Sequence, residues 1–271
     1  MVKGNNYILD KAAELQSRGV YAFSLDEMRA FFPQQSPQAL ALALNRAVRK
    51  GRIKSVHKGY YVIISPEYAS QGALPPPLFI DGLMNHLRRP YYVGLLNAAA
   101  YHGAAHQQPQ EFTVITGLPG LRMKQSKSIR IHFVARKALP VTGIEQRKTD
   151  TGYFNISGPE LTAFDLIQFE DRVGGLNRVF QVLSELMDSM DEERLARVLE
   201  QSDIAPAYVQ RLGYMLEKVE ESNPLAETLR VYLQKREKPL QRVPLKPKGK
   251  RTGYPIHSQW KIIENVKIDV G

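Results

Sequence analysis

The chain opens with apolar residues spaced three and four positions apart. Ile8, Ala12 and Leu15 follow this spacing, which predicts an amphipathic helix over residues 6–18. Gly19 comes next, and glycine often ends a helix because it adopts left-handed backbone conformations without strain. We therefore expect one helix before residue 20.

Two further helices are indicated by their capping residues. Ser24, with Glu27 three positions later, has the spacing of a capping box and predicts a short second helix. Ser36 precedes Pro37, and proline is favoured in the first turn of a helix because its missing N–H has no partner there. This pair predicts a third helix that runs to about Lys50.

Two short segments rich in Ile, Val and Tyr follow the third helix. They cover residues 53–56 and 60–64, and Gly59 between them favours a tight turn, so a β-hairpin is expected. Three helices and a hairpin within about 60 residues have the order of a winged helix-turn-helix. We expect this domain to occupy residues 1–66.

A proline-rich stretch separates this region from the rest of the chain. Residues 67–78 contain three consecutive prolines, and such a run is stiff and extended, so a linker is expected there. Residues 79–271 are expected to form a larger domain, with a small β-sheet over about 79–157, a helical half over about 158–237 and a basic tail with a last strand over 238–271. The predicted fold class is α+β, a winged helix-turn-helix followed by this larger mixed domain.

Within the larger domain, the hydrophobic pattern predicts particular elements. Residues 91–101 are apolar nearly throughout and predict a buried helix. Strands are expected over 111–116 and 128–135, and a third over 153–156. Residues 239–254 are rich in Pro, Lys and Gly and are expected to form a loop or a disordered segment.

Charge is distributed unevenly along the chain. The formal net charge is +10, and residues 1–66 hold ten Lys or Arg against four Asp or Glu, while residues 235–251 hold eight against one. Basic ends indicate contact with polyanions, although a basic tail is also compatible with a solvated linker. No run of about 18 apolar residues is present and the start lacks a signal-peptide pattern, so we expect a cytoplasmic protein with no membrane partner.

The third helix and the hairpin carry the predicted binding chemistry. Gln and Asn side chains pair adenine edges in the major groove and Arg pairs guanine, while cations near the helix end contact phosphates. A winged helix that contacts protein instead of DNA remains an alternative. The predicted DNA-binding residues are Gln35, Ser36, Gln38, Asn45, Arg46, Arg49, Lys50, Arg52, Lys54, His57 and Lys58.

Catalytic and cofactor motifs are not supported. The chain has no cysteine, no Gly-x-Gly-x-x-Gly, no phosphate loop and no Gly-x-Ser-x-Gly. His102 and His106 have the spacing of a metal pair but no accompanying acid, and Asp188 and Asp191 lack the Asp-x-Asp spacing of a nucleotidyltransferase. We expect no catalytic residue, no metal and no cofactor, and a protein that is not an enzyme.

Several stretches together resemble the AbiEi antitoxin family, in order and spacing over nearly the whole chain. Each stretch is weakly specific by itself. The stretches are Tyr91–Gly103, Phe112–Ile115, Ile131–Val134, Ile156–Leu166, Arg211–Glu217 and Trp260–Val266.

The resemblance implies a function. AbiEi-like proteins are antitoxins of type IV toxin–antitoxin phage-defence systems, whose N-terminal domain represses its own promoter through inverted repeats. The implied partners are double-stranded operator DNA and a nucleotidyltransferase-like toxin, which the antitoxin need not bind directly. Two alternatives stay open: a stand-alone winged-helix transcriptional regulator with a ligand- or partner-sensing C-terminal domain, and an enzyme acting on nucleic acid.

Overall fold

The computed structural model describes residues 7–104, 109–122, 129–236 and 239–269. The architecture is α+β, with an N-terminal winged helix-turn-helix, a β-sheet and a C-terminal helical half, so the predicted fold class is confirmed. Internal packing divides the chain into two units. The first unit comprises Met1–Tyr92, Gln110–Leu139 and Gln146–Asn155, and the second comprises Val93–Pro109, Pro140–Glu145 and Ile156–Gly271.

The winged helix-turn-helix forms where capping and spacing predict it. The Ser24 hydroxyl accepts from the Glu27 N–H at 3.1 Å and the Glu27 carboxylate accepts from the Ser24 N–H at 2.6 Å, which completes the capping box. The Ser36 hydroxyl accepts from the Ala39 N–H at 3.2 Å. The elements are α1 (Tyr7–Ser17), β1 (Ala22–Ser24), α2 (Leu25–Phe31), α3 (Pro37–Arg49), β2 (Ile53–His57) and β3 (Tyr60–Ile63).

The hairpin is part of a three-stranded sheet with the order β1-β3-β2. Strand β1 pairs antiparallel with β3, in the register Ser24↔Tyr60, and the hydrophobic pattern does not predict it because it is only three residues long. Its pairing depends on a partner about 40 residues away, which no local pattern reveals. One core joins these elements, and α3 contributes Leu40, Leu44 and Ala47 to it.

The proline-rich segment after the hairpin is packed within the first unit. Residues 66–78 include two short 3-10 turns, Pro66–Tyr68 and Pro76–Leu78, and Leu74 between them is buried. The carbonyl of Leu78 accepts from the Thr151 hydroxyl at 2.8 Å. The segment therefore has tertiary contacts, and the division of the chain into domains at this point stays a prediction.

A five-stranded sheet has the order β6-β5-β4-β8-β7. Strand β5 runs parallel to β6, and β4 runs parallel to β8. The elements of this region are α4 (Ile80–His86), β4 (Tyr91–Val93), α5 (Leu95–Tyr101), β5 (Phe112–Gly117), β6 (Ile131–Arg136), β7 (Ile144–Thr149) and β8 (Gly152–Ser157).

One prediction in this region was wrong in part, and one strand was not predicted. A helix was predicted over residues 91–101, but its first three residues form strand β4 instead. Tyr-Tyr-Val has the aromatic and β-branched side chains that favour a strand. Gly94 then precedes α5. Strand β7 was not predicted because its central residues 145–148 are charged or polar and exposed, so it lacks an alternating apolar pattern.

The second unit is mainly helical, as predicted. Helix α6 is buried along residues 159–167 and α9 along residues 209–216, while α7, α8 and α10 each bury one face. No described helix is long and apolar enough to cross a membrane. The elements are α6 (Pro159–Gln168), α7 (Leu176–Leu186), α8 (Glu192–Gln201), α9 (Pro206–Val219), α10 (Pro224–Gln234), β9 (Val243–Pro244) and β10 (Ile262–Ile263).

The basic tail is more ordered than its composition predicts. Strand β9 pairs in parallel with β10, and Leu245 is fully buried. The predicted loop over residues 239–254 therefore contains a strand, and the predicted last strand is reduced to two residues. The reason is long-range pairing between two short apolar segments that lie about 20 residues apart, which composition does not reveal.

Candidate nucleic-acid interface

Helix α3 separates its apolar and polar positions onto two faces. Leu40 and Leu44 are buried in the core, whereas Gln38 and Asn45 are exposed. The helix contains eight apolar residues besides its first proline, two arginines and no acidic residue. Its solvent face therefore offers amide and guanidinium groups with no neighbouring carboxylate on the same helix.

The structure brings eight of the eleven predicted residues together on α3 and its two ends. All eight are exposed, which the proposed role requires, but exposure by itself does not test DNA binding. Arg46 and Arg49 have no salt bridge with any residue in the described ranges. The eight residues are Gln35, Ser36, Gln38, Asn45, Arg46, Arg49, Lys50 and Arg52.

The N-terminus of α3 has limited capacity for a phosphate. Pro37 has no N–H, and the Ala39 N–H is already bonded to the Ser36 hydroxyl. Among the first three residues of the helix, this leaves the Gln38 N–H for an anion. A phosphate contact here would therefore depend on one backbone donor and the helix dipole.

The three predicted residues of the hairpin differ in their environments. The Lys54 ammonium donates to the Gly72 carbonyl at 3.3 Å, and burial lowers the pKa of Lys54. His57 is half-buried, and its Nδ1 lies 3.3 Å from the Lys58 carbonyl oxygen. Lys58 is exposed, so it is the residue of the three that is best placed to meet a phosphate.

The tip of the hairpin is held by neighbouring elements of the first unit. The Gly59 carbonyl accepts from the Leu25 N–H at 2.7 Å, at the start of α2. Gly59 has a φ of 75°, and a Cβ there would lie 3.8 Å from the His86 ring. The wing is thus short, and the Lys58 side chain extends it.

A shallow groove beside α3 contains residues that are not among the predicted DNA-binding residues. It lies between the start of α1 and α3, where Tyr7, Leu9 and Leu42 line it with Arg46. Leu42 is 52% exposed although it is apolar. Helical spacing places it outward, but a prediction based on polar chemistry does not select an apolar residue.

Two polar residues of α6, Glu160 and Thr162, have partners inside the second unit. Glu160 is 2% exposed, and its carboxylate accepts from the Asp191 N–H at 2.8 Å and the Arg194 Nε at 3.1 Å. The Ser157 and Thr162 hydroxyls are 2.6 Å apart. These groups lie in the stretch 156–166 that resembles the antitoxin family, and their contacts are structural.

Helix α9 packs against a tryptophan from the end of the chain. A Cβ at Gly213 would lie 2.1 Å from Cη2 of Trp260, so only glycine fits there without displacement of the indole ring. Gln210 is buried and donates to the Gln241 and Trp260 carbonyls at 2.9 and 2.8 Å. Close packing against Trp260 therefore explains why a glycine occupies position 213 in the stretch 211–217.

The side chain of one asparagine, Asn265, bridges the two ends of the basic segment 246–251 by hydrogen bonds. The Asn265 carbonyl oxygen accepts from the Lys246 N–H at 2.9 Å, and its amide donates to the Lys246 and Lys250 carbonyls at 3.0 and 2.9 Å. Lys248 forms an ion pair with Asp171. The exposed cations of the segment 246–251 therefore belong to a loop that is held by these hydrogen bonds.

Acidic and metal-binding possibilities are limited in the second unit. Burial, with the neighbouring Asp171 carboxylate, raises the pKa of Glu170. The His102 Nε2 lies 2.8 Å from the Ser157 carbonyl oxygen, while His106 lies outside the described residues. The described part of the chain contains no group of three or more His, Asp or Glu side chains arranged to hold a metal ion.

The fold and these contacts define a two-part α+β protein with a winged helix-turn-helix at its N-terminus. Residues 92–218 match the family described as the AbiEi antitoxin C-terminal domain, and this part of the chain is a domain of that family. The predicted family is therefore confirmed for this segment, whereas the winged helix lies outside the match.

A solved structure shares the fold over most of its length. The crystal structure of the RV2827C protein from Mycobacterium tuberculosis superposes with a TM-score of 0.63 and 14% sequence identity, over 96% of this chain and 90% of that chain. At this identity the likeness concerns the fold alone. No curated protein matches the chain in sequence.

Proposed function

We propose that this protein is the antitoxin and transcriptional autorepressor of a type IV, AbiE-like toxin–antitoxin phage-defence system. Its winged helix-turn-helix binds inverted repeats in its own promoter, and its C-terminal domain counteracts a nucleotidyltransferase-like toxin. The protein acts in the cytoplasm, is not an enzyme and needs no cofactor. The AbiEi antitoxin domain at residues 92–218 supports the toxin–antitoxin role.

The observation that carries the DNA-binding part is the exposed face of α3. Gln38, Asn45, Arg46 and Arg49 are exposed on one helix that contains no acid, while its apolar side is fixed in the core. A helix of this kind fits the major groove of B-DNA, which is about 12 Å wide. Lys50 and Arg52 follow the helix and are placed to meet the phosphate backbone.

A gel-shift titration with the promoter fragment tests the reading face. The double variant Arg46→Ala/Arg49→Ala should bind at least about tenfold more weakly than the wild type, since each Arg contact to a base contributes about 1–3 kcal/mol. The slope of log affinity against log salt should also become shallower by about 0.9 for each phosphate that the variant no longer neutralises. Unchanged affinity in the double variant would refute the assignment of α3.

A matched control separates this effect from net charge. Arg197→Ala/Arg236→Ala removes two exposed cations from the second unit and should leave operator affinity within about twofold, because neither residue lies on the winged helix. Thermal unfolding of all variants checks that folding is intact.

Co-expression with the adjacent toxin gene tests the antitoxin part. The full-length Arg46→Ala/Arg49→Ala variant, made from an inducible promoter, should rescue growth as well as the wild type while it fails to repress its own promoter. The alternative is a stand-alone winged-helix regulator with a sensing C-terminal domain. It would be favoured if neither protein rescued growth and if a small molecule altered operator binding.

A further inference from the structure

The solvent face of α3 changes its chemistry along the helix. Residues 37–45 contain no charged side chain, and the first cation is Arg46 in the last turn. Within this uncharged part, the exposed side chains after the first proline belong to four residues, which we call the central stripe: Gln38, Ala41, Leu42 and Asn45. The N-terminal two-thirds of the proposed reading helix therefore offers only amides and methyl groups.

Leu42 occupies the middle of this stripe. It is 52% exposed, and it follows Gln38 by four residues and precedes Asn45 by three. Side chains at these spacings lie on the same side of a helix, so the leucine lies between the two amides. A single exposed leucine is ordinary on a protein surface, but here it is centred on the face that would meet the bases.

The chemistry of the central stripe matches A·T base pairs. Amide side chains pair bidentately with N6 and N7 of adenine, and apolar side chains contact the C5-methyl group of thymine. Guanine is usually read by Arg or Lys, and neither residue occurs in α3 before position 46. Amide and methyl groups in this order therefore favour adenine and thymine at the centre of the site.

We infer that the central stripe of α3 selects A·T base pairs and that Leu42 contacts a thymine methyl group. This inference rests on the proposed DNA binding and adds the base composition of the half-site and the residue that reads it. Arg46 marks the end of the stripe, where contacts change to guanine or phosphate.

Selection from random duplexes with the full-length protein gives the first test. Each recovered half-site should contain at least two adjacent A·T pairs at its centre. Replacement of thymine by deoxyuridine then removes only the methyl group. At the position read by Leu42, this replacement should weaken binding about fourfold, the effect expected for one buried methyl group.

Exchanging Leu42 for a smaller residue assigns the methyl contact. Leu42→Ala should bind the thymine and deoxyuridine duplexes with equal affinity. Val20→Ala is the matched control, because Val20 is also an exposed apolar residue of the first unit, at 40%, but lies outside α3. This control should keep the fourfold preference for thymine, and thermal unfolding should show both variants folded.

The possible outcomes are distinguishable. Binding to no duplex would end both the proposed function and this inference. Tight binding to half-sites with G·C centres, or a thymine preference that survives Leu42→Ala, would overturn the inference and leave DNA binding in place. A change of oligomeric state in Leu42→Ala, with its thymine preference intact, would show that the leucine contacts a second copy of the chain.

Discussion

Helices α3 and α6 use their polar residues in opposite ways. On α3 the polar side chains are exposed and the arginines have no ion-pair partner among the described residues, whereas on α6 Glu160 and Thr162 are buried and bonded. The family match covers α6 but not α3. The buried polar residues of α6, which lie within the family match, thus maintain the fold, while the proposed reading chemistry lies outside the match.

The largest effect is expected at Gly213, where α9 packs against Trp260. Gly213→Ala would place a Cβ within 2.1–2.6 Å of three ring atoms of Trp260, a residue that is 1% exposed. Overpacking of this kind should lower the free energy of unfolding by about 3 kcal/mol. Urea denaturation of the full-length protein measures the loss.

A glycine with open space around it gives the control for this substitution. Gly117→Ala meets no atom within 4 Å of its Cβ and lacks a left-handed backbone, so it should be close to neutral. If Gly213→Ala and Gly117→Ala unfolded at the same urea concentration, the close packing of α9 on Trp260 would be disproved.

The second effect concerns the buried carboxylate of α6. Glu160→Ala leaves the Asp191 N–H and the Arg194 Nε without their acceptor, and should cost about 2 kcal/mol of unfolding free energy. Operator affinity, measured at a temperature where the variant is folded, should stay that of the wild type. Glu193→Ala is an exposed control on α8 and should change stability by less than about 0.5 kcal/mol. Weaker operator binding by folded Glu160→Ala would contradict the view that polar residues of α6 have a structural role and only those of α3 contact DNA.

The smallest effect is expected at the wing. Lys58→Ala should weaken operator binding by about 0.5 kcal/mol, because one exposed cation on a short hairpin makes at most a screened phosphate contact. Stability should not change. The comparison with Lys218→Ala, a lysine of α9, separates a local contact from net charge. A reduction as large as that of the Arg46→Ala/Arg49→Ala variant would move the main contact surface from α3 to the wing.

Elements with local signals could be predicted from the sequence. The capping box at Ser24 and the cap at Ser36 fix where α2 and α3 start, since each needs only residues within three positions. Spacing alone also places Gln38 and Arg49 on the outer face of α3. The position and outer face of α3 could therefore be predicted from the sequence. The bases that α3 contacts depend on the operator DNA and could not.

Features that depend on distant partners could not be predicted. Strand β1 needs β3, and the order of the basic segment 246–251 needs the Asn265 side chain. Lys54 was predicted to contact DNA from its charge alone, but a contact with Gly72 and partial burial restrict it. In each of these three regions, a residue about 15 or more positions away decides the local environment.

The packing of Trp260 has a consequence for how the protein can be divided. The family match ends at residue 218, yet the indole ring that occupies the space beside Gly213 comes from 42 residues further along the chain. A fragment trimmed to the matched borders would carry an open slot on α9 and an uncovered apolar surface. Any shortened version made for crystallisation or for binding studies should therefore retain the chain through β10.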